Sequence, residues 1–146
     1  SAALLIGARI LCAGDRGGKA ILPAFTYIAT LSAVVHAGLE PIFCDVDPGT
    51  WTLDPEAVSQ TLEAHPDVRL VVPVNVFGVP PDLGAIERAC AARGAPMLLD
   101  NAHGLGSVDD GLRVSPHPRV SMGRFRNRVQ KAPVWPHLPV RSSPVP

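Results

Sequence analysis

The segment PMLLDNAH, residues 96–103, runs four apolar residues straight into Asp100 and sets His103 three positions further on. A carboxylate at the end of an apolar strand needs a hydrogen-bond donor or a cation, because a buried charge without a partner is costly. Asp100 could meet that need by capping a turn or helix, a role aspartate favours generally, or by holding a cationic ligand. His103, beside Gly104, is either a ligand contact or a structural surface residue, and Tyr27 in AFTY is either an aromatic platform or a core tyrosine. Asn75 and Thr26 are weaker candidates that could equally stabilise turns. In open parallel sheets, ligands bind beyond the carboxyl ends of the strands. Three such ends converge here on an acid, an imidazole, an aromatic ring and a carboxamide. That set suits a flat cationic or nitrogen-bearing ring better than a pyrophosphate. The chain contains neither GxGxxG nor GxxxxGK[ST], the loops that cradle phosphates in dinucleotide and P-loop folds.

The elements that must position these residues alternate along the first 110 residues. SAALLIGARILCA carries good helix formers with apolar residues three and four apart. GDRGGKAILP turns and enters a short strand that Pro23 ends, and YIATLSAVVHAGLE reads as an apolar helix with Gly38 as its stop. PIFCDV reads as a short buried strand. A helix then begins with Asp54 as N-cap and Pro55 in its first turn. VRLVVPVNVFG predicts a strand, PPDLGAIERACAARG a helix capped at Asp82, and APMLLD another strand. Strands alternating with helices over short links imply an α/β fold with a mostly parallel sheet. No repeat at a fixed period is visible.

Length and composition fit one ordinary domain, 146 residues with 47% hydrophobic content. No apolar run approaches the roughly 18 residues of a membrane span, and no signal-peptide pattern follows Ser1, so a cytoplasmic location is expected. Cys12, Cys44 and Cys90 are odd in number and far apart, without CxxC or Cys/His ligand spacing. Reduced core thiols are therefore expected and a metal is not. Net charge is zero, but all 13 acidic residues precede Gly111, and residues 111–146 hold seven basic residues and seven of the 16 prolines. Proline recurs there too often for a helix or a central strand, so residues 115–146 are expected to be an irregular, disordered tail. The single basic cluster RFRNR is weak ground for nucleic-acid binding.

Three blocks, ILPAFTYIATLSAVVHAGLEPIFCDVDPGTWTLDP, VVPVNVFGVPPDL and LLDNAHGLGS, resemble in uninterrupted order the large domain of the DegT/DnrJ/EryC1/StrS aminotransferases. The resemblance covers residues 1–114. It implies part of a fold-type-I large domain that uses pyridoxal 5′-phosphate, with an amino donor and a keto-sugar or related acceptor as the small-molecule partners. It also implies a role for each candidate. Asp100 would pair with the protonated pyridine nitrogen, keeping the ring an electron acceptor. His103 would donate to the phenolic oxygen, and Tyr27 would stack on the ring face. Ser1 and Ala2 would stand for the remnant of a Gly-Thr step whose backbone amides hold the phosphate at a helix N-terminus.

The same resemblance exposes what does not match. The family's Schiff-base lysine belongs about 30 residues beyond Asp100, in a block like SLHATK, where this chain has SMGRFRNRVQK. Lys131 falls near that distance, but nothing around it matches, so the catalytic residue is left unassigned. The tail has the composition of an out-of-frame reading that begins near residues 114–122. The expectation is a truncated, inactive relative, poorly soluble alone, that could associate as a homodimer or with a full-length relative. The alternative is an α/β nucleotide- or nucleotide-sugar-binding module without pyridoxal chemistry.

Overall fold

The computed structural model describes residues 2–12, 17–104, 108–109, 112–113 and 120–121. Helix α1 (Ala2–Leu11) precedes β1 (Lys19–Pro23), α2 (Ile28–His36), β2 (Glu40–Cys44) and α3 (Pro55–Ala64). They are followed by β3 (Val68–Val71), α4 (Leu83–Arg93) and the short strands β4 (Met97–Leu98), β5 (Val108–Asp109), β6 (Leu112–Arg113) and β7 (Val120–Ser121). Strands β5 and β6 form a separate antiparallel pair.

The main sheet has the order β2-β1-β3-β4-β7. Its first four strands are parallel, and β7 joins β4 in the antiparallel sense. Both faces of the sheet are covered, so the central stretches of β1, β3 and β4 are largely apolar, with alternate residues feeding opposite cores. Ile21, Val71, Met97 and Leu99 enter the core that holds Val58 and Leu62 of α3 and Leu83 and Ile86 of α4. Ala20, Leu22, Leu70, Val72 and Leu98 enter the other, with Ala8 of α1 and Val34 of α2. Helices α1 and α2 thus cover one face, α3 and α4 the other.

That division sets where a ligand can sit. From β1 the chain leaves through α2 toward β2 on one side, and from β3 it leaves through α4 toward β4 on the opposite side. The reversal between the adjacent strands β1 and β3 opens a crevice at their carboxyl ends. The ladder runs past the named strands into that crevice. Asp100 N donates to Pro73 O and Asn75 N donates to Asp100 O, both at 2.9 Å.

Local signals act as the sequence predicts. Asp54 Oδ1 accepts from Glu56 N at 2.9 Å with Pro55 opening α3, and Asp82 Oδ1 accepts from Ala85 N at 2.8 Å at the start of α4. Gly38 takes φ +88° just past α2, where a left-handed residue ends the helix. One expectation needs correction. PIFCDV was read as a buried strand, yet β2 is the sheet's edge, with only Cys44 buried and Phe43 53% exposed. An edge strand has one neighbour and less cover, which a short apolar run cannot reveal. Within the tail expected to be irregular, Val120 and Ser121 pair with Leu98 and Met97. The rest of the tail, including Lys131, lies outside the described residues, as does Ser1. Among the described residues no helix is long and apolar enough to cross a membrane, and no group of three or more His, Cys, Asp or Glu could hold a metal ion.

Candidate cofactor site

At the crevice lies a cavity of about 420 Å³, walled by the segments 25–27, 74–77 and 99–103 together with Ala3, Leu4 and Ala29. Its size falls in the roughly 300–1,000 Å³ range of small-molecule sites. Asp100 is 6% exposed. Its Oδ2 accepts from Thr30 Oγ1 at 2.6 Å and its Oδ1 from Ala102 N at 3.2 Å. The second bond closes a local turn of the kind aspartate favours. No helix follows at 101–104, so Asp100 is not a helix cap. Among the described residues no lysine or arginine forms an ion pair with this buried carboxylate.

Tyr27 occupies the N-cap position of α2 but makes no side-chain capping bond. It is 72% exposed and lines the cavity, which excludes the core-tyrosine reading. His103 also lines the cavity and lies flat against Phe77, with ring centroids 5.8 Å apart and planes 8° from parallel. Phe77 holds its backbone at φ +50°, a conformation uncommon for a bulky side chain, and is 78% exposed. Asn75, 1% exposed, donates from Nδ2 to Asn101 Oδ1 at 3.0 Å. Thr26 donates from Oγ1 to Thr30 Oγ1 at 2.9 Å.

The structure therefore brings Asp100, His103, Tyr27, Asn75 and Thr26 to one cavity. Ala2 does not line it; the next two residues of α1, Ala3 and Leu4, do. Sequence reasoning gave no role to Thr30, Phe25, Phe77 or Asn101. Thr30 had a weak signal, since it stands one helical turn from Thr26 and three residues from Tyr27. Phe25 adjoined a nominated pair, and Phe77 stood at a strand end. Phe25 packs edge-on against both Trp51 and Phe77, at 5.4 and 6.3 Å between centroids.

This parallel sheet flanked by helices is shared with part of the large domain of fold-type-I pyridoxal-phosphate aminotransferases. A solved structure of 3-amino-5-hydroxybenzoic acid synthase matches it with a TM-score of 0.69 at 34% identity, covering 76% of this chain and 28% of that one. The chain belongs to the DegT/DnrJ/EryC1/StrS aminotransferase family, whose model matches residues 1–126, past the limit at residue 114 that sequence reading set.

Among its relatives is the 3-amino-5-hydroxybenzoate synthase of Amycolatopsis mediterranei (strain S699), 34% identical over 111 residues, 76% of this chain and 28% of that protein. The UDP-2-acetamido-2-deoxy-3-oxo-D-glucuronate aminotransferase of Pseudomonas aeruginosa is 33% identical over 97 residues, 66% of this chain and 26% of the enzyme. A Bacillus subtilis relative solved with bound cofactor PMP has a TM-score of 0.67 at 27% identity, covering 75% and 24% of the two chains. The chain thus spans between 20% and 30% of the length of such curated relatives.

Proposed function

We propose that the cavity binds pyridoxal 5′-phosphate and that these residues form the ring-holding part of an aminotransferase acting on a keto-sugar or related acceptor. The observation that carries this reading is Asp100, a buried carboxylate on the cavity wall with no cationic partner among the described residues. A pyridinium nitrogen supplies the missing partner, so the residues present fit the group. Bound there, pyridoxal phosphate supplies an electron-withdrawing ring for chemistry at an amine's α-carbon. Asp100 holds the proton on the ring nitrogen, Tyr27 covers a ring face, and His103 donates toward the phenolic oxygen. The first turn of α1 reaches the cavity through Ala3 and Leu4 and offers backbone N–H donors to the phosphate.

The transfer step itself is not assigned to these residues. Of the two lysines, Lys19 opens β1 at the opposite end of the sheet, where it pairs with Asp67 at 3.2 Å. Lys131 lies beyond the family match and in an unrelated sequence context. Without a lysine to hold the cofactor covalently, the chain alone would be inactive as a transaminase. Borohydride reduction after addition of the cofactor, followed by mass mapping, tests this: a specific adduct on Lys131 would reverse it. Exposed Ile6, Ile10, Ile28 and Val35 on α1 and α2 support association with a second chain, which size-exclusion chromatography tests. The buried, unbridged thiols of Cys44 and Cys90 are in keeping with a reducing, cytoplasmic compartment.

Titration of the chain with pyridoxal 5′-phosphate, followed by cofactor absorbance, tests the central claim. Saturable binding is expected, and Asp100→Asn should weaken it about tenfold or more, the scale of a lost charge-assisted hydrogen bond. A chain that ignores the cofactor but binds a nucleoside diphosphate, unaffected by Asp100→Asn, would be a nucleotide-binding module instead.

A further inference from the structure

We propose that Thr30 is a positioning residue: its hydroxyl, backed by that of Thr26, fixes the orientation of the Asp100 carboxylate toward the ring in the cavity. A threonine in a helix ordinarily turns its hydroxyl back to a carbonyl one turn earlier. Thr30 is 1% exposed in α2, yet its Oγ1 donates to Asp100 Oδ2, 70 positions away in the chain. A hydroxyl has one proton to give. With that proton committed to the carboxylate, Thr30 Oγ1 can serve Thr26 only as an acceptor, which is the sense of the 2.9 Å bond between them. Thr26 lines the cavity, so its hydroxyl meets a ligand there with lone pairs only.

The two oxygens of Asp100 are therefore held from two independent segments. Oδ1 takes the amide of Ala102 within its own turn, and Oδ2 takes Thr30 from α2. A carboxylate gripped at both oxygens loses its rotation and keeps one edge for a further donor. The same helical turn carries Tyr27, whose carbonyl accepts from Thr30 N at 3.0 Å. One turn of α2 thus sets both the platform under the ring face and the carboxylate at the ring edge. Such pre-organisation lowers the ordering cost of binding.

This inference rests on the pyridoxal-phosphate reading above, and its test separates the two. Wild-type chain, Thr30→Val and Thr30→Ser are each titrated with pyridoxal 5′-phosphate and with its 1-deaza analogue, in which C–H replaces the ring nitrogen. Thr30→Val should weaken the cofactor about tenfold and the analogue less than about twofold, because only the cofactor engages the carboxylate Thr30 orients. Thr30→Ser, which keeps the hydroxyl, should stay within about threefold of wild type for both. Thermal melts monitor folding, and Thr30→Ala replaces Thr30→Val if the latter does not melt cooperatively. Equal losses for the two ligands, or no loss for either, would overturn the positioning role alone. A wild-type chain that binds neither ligand would overturn the cofactor site and this role with it.

Discussion

Asn101 stands between Asn75 and Gly104: its Oδ1 accepts from Asn75 Nδ2 at 3.0 Å, and a β-carbon on Gly104 would overlap that same carboxamide. The overlap extends to Asn75 Nδ2, which such a carbon would approach to 2.5 Å. Glycine is therefore required here by space rather than by a left-handed backbone. Gly104→Ala must break or displace this partly buried hydrogen bond, at a cost of about 1 kcal/mol. Urea unfolding should show that loss. The penalty should shrink in an Asn101→Ala background, because neighbouring changes that share one clash are not additive.

Tyr27 offers a test of the ring platform without a folding penalty. It is 72% exposed and its side chain does not cap α2, so Tyr27→Ala should move the unfolding free energy by less than about 0.5 kcal/mol. Aromatic stacking is worth about 0.5–1.5 kcal/mol, which corresponds to roughly two- to twelvefold in affinity. Cofactor titration should find that loss in Tyr27→Ala and near wild-type binding in Tyr27→Phe.

How much of this was legible in advance follows the range of the interactions. Asp54 with Pro55, and Asp82, act within a few residues, so their capping roles can be read directly from order. The doubly covered sheet is legible because continuous apolar strands separated by helices have few other solutions. The convergence of Asp100 and Tyr27 followed from the strand-end rule together with family resemblance. The bond from Thr30 to Asp100 did not, because it joins residues 70 apart and depends on how α2 seats on the sheet. The left-handed backbones of Phe77 and Trp51 were equally hidden, since a bulky aromatic residue does not announce one. The exposure of β2 escaped for a related reason: position in the sheet is a property of strand order, not of the strand.

The thiols differ in environment enough to be told apart chemically. Burial pushes Cys90 up to about 12, with the Glu87 charge adding to it. Burial also raises Cys44, against the opposing hydrogen bond of Thr61, whose Oγ1 lies 3.0 Å from Sγ. Because the thiolate is the reactive form, both should resist Ellman's reagent near neutral pH until the chain unfolds. Half-buried Cys12 should react in the native state. A pKa raised by folding means that the unfolded chain releases its proton first. The contribution of Cys90 is therefore complete below about pH 8.5 and lost as pH rises toward the folded value, so stability should decline through that alkaline window.

Acid should act through the turn that holds Trp51. Asp47 Oδ1 accepts from Gly49 N at 2.9 Å, Thr50 N at 2.8 Å and Thr50 Oγ1 at 3.1 Å. These bonds, led by the Thr50 amide, hold its carboxyl below the usual aspartate range. The same turn places Trp51 at φ +61°, edge-on to Phe25 on the cavity wall. A carboxyl whose pKa is lowered by folding contributes stability that is whole above the unfolded value of about 3.9, and it is lost as pH falls through the lower folded value. Trp135→Phe leaves Trp51 as the single tryptophan. Its emission should hold steady from neutrality down to about pH 4 and shift only below that. In Asp47→Asn, which cannot ionise, that acid transition should be absent. A transition of unchanged midpoint in Asp47→Asn would assign it to another carboxyl and detach the turn from the cavity wall.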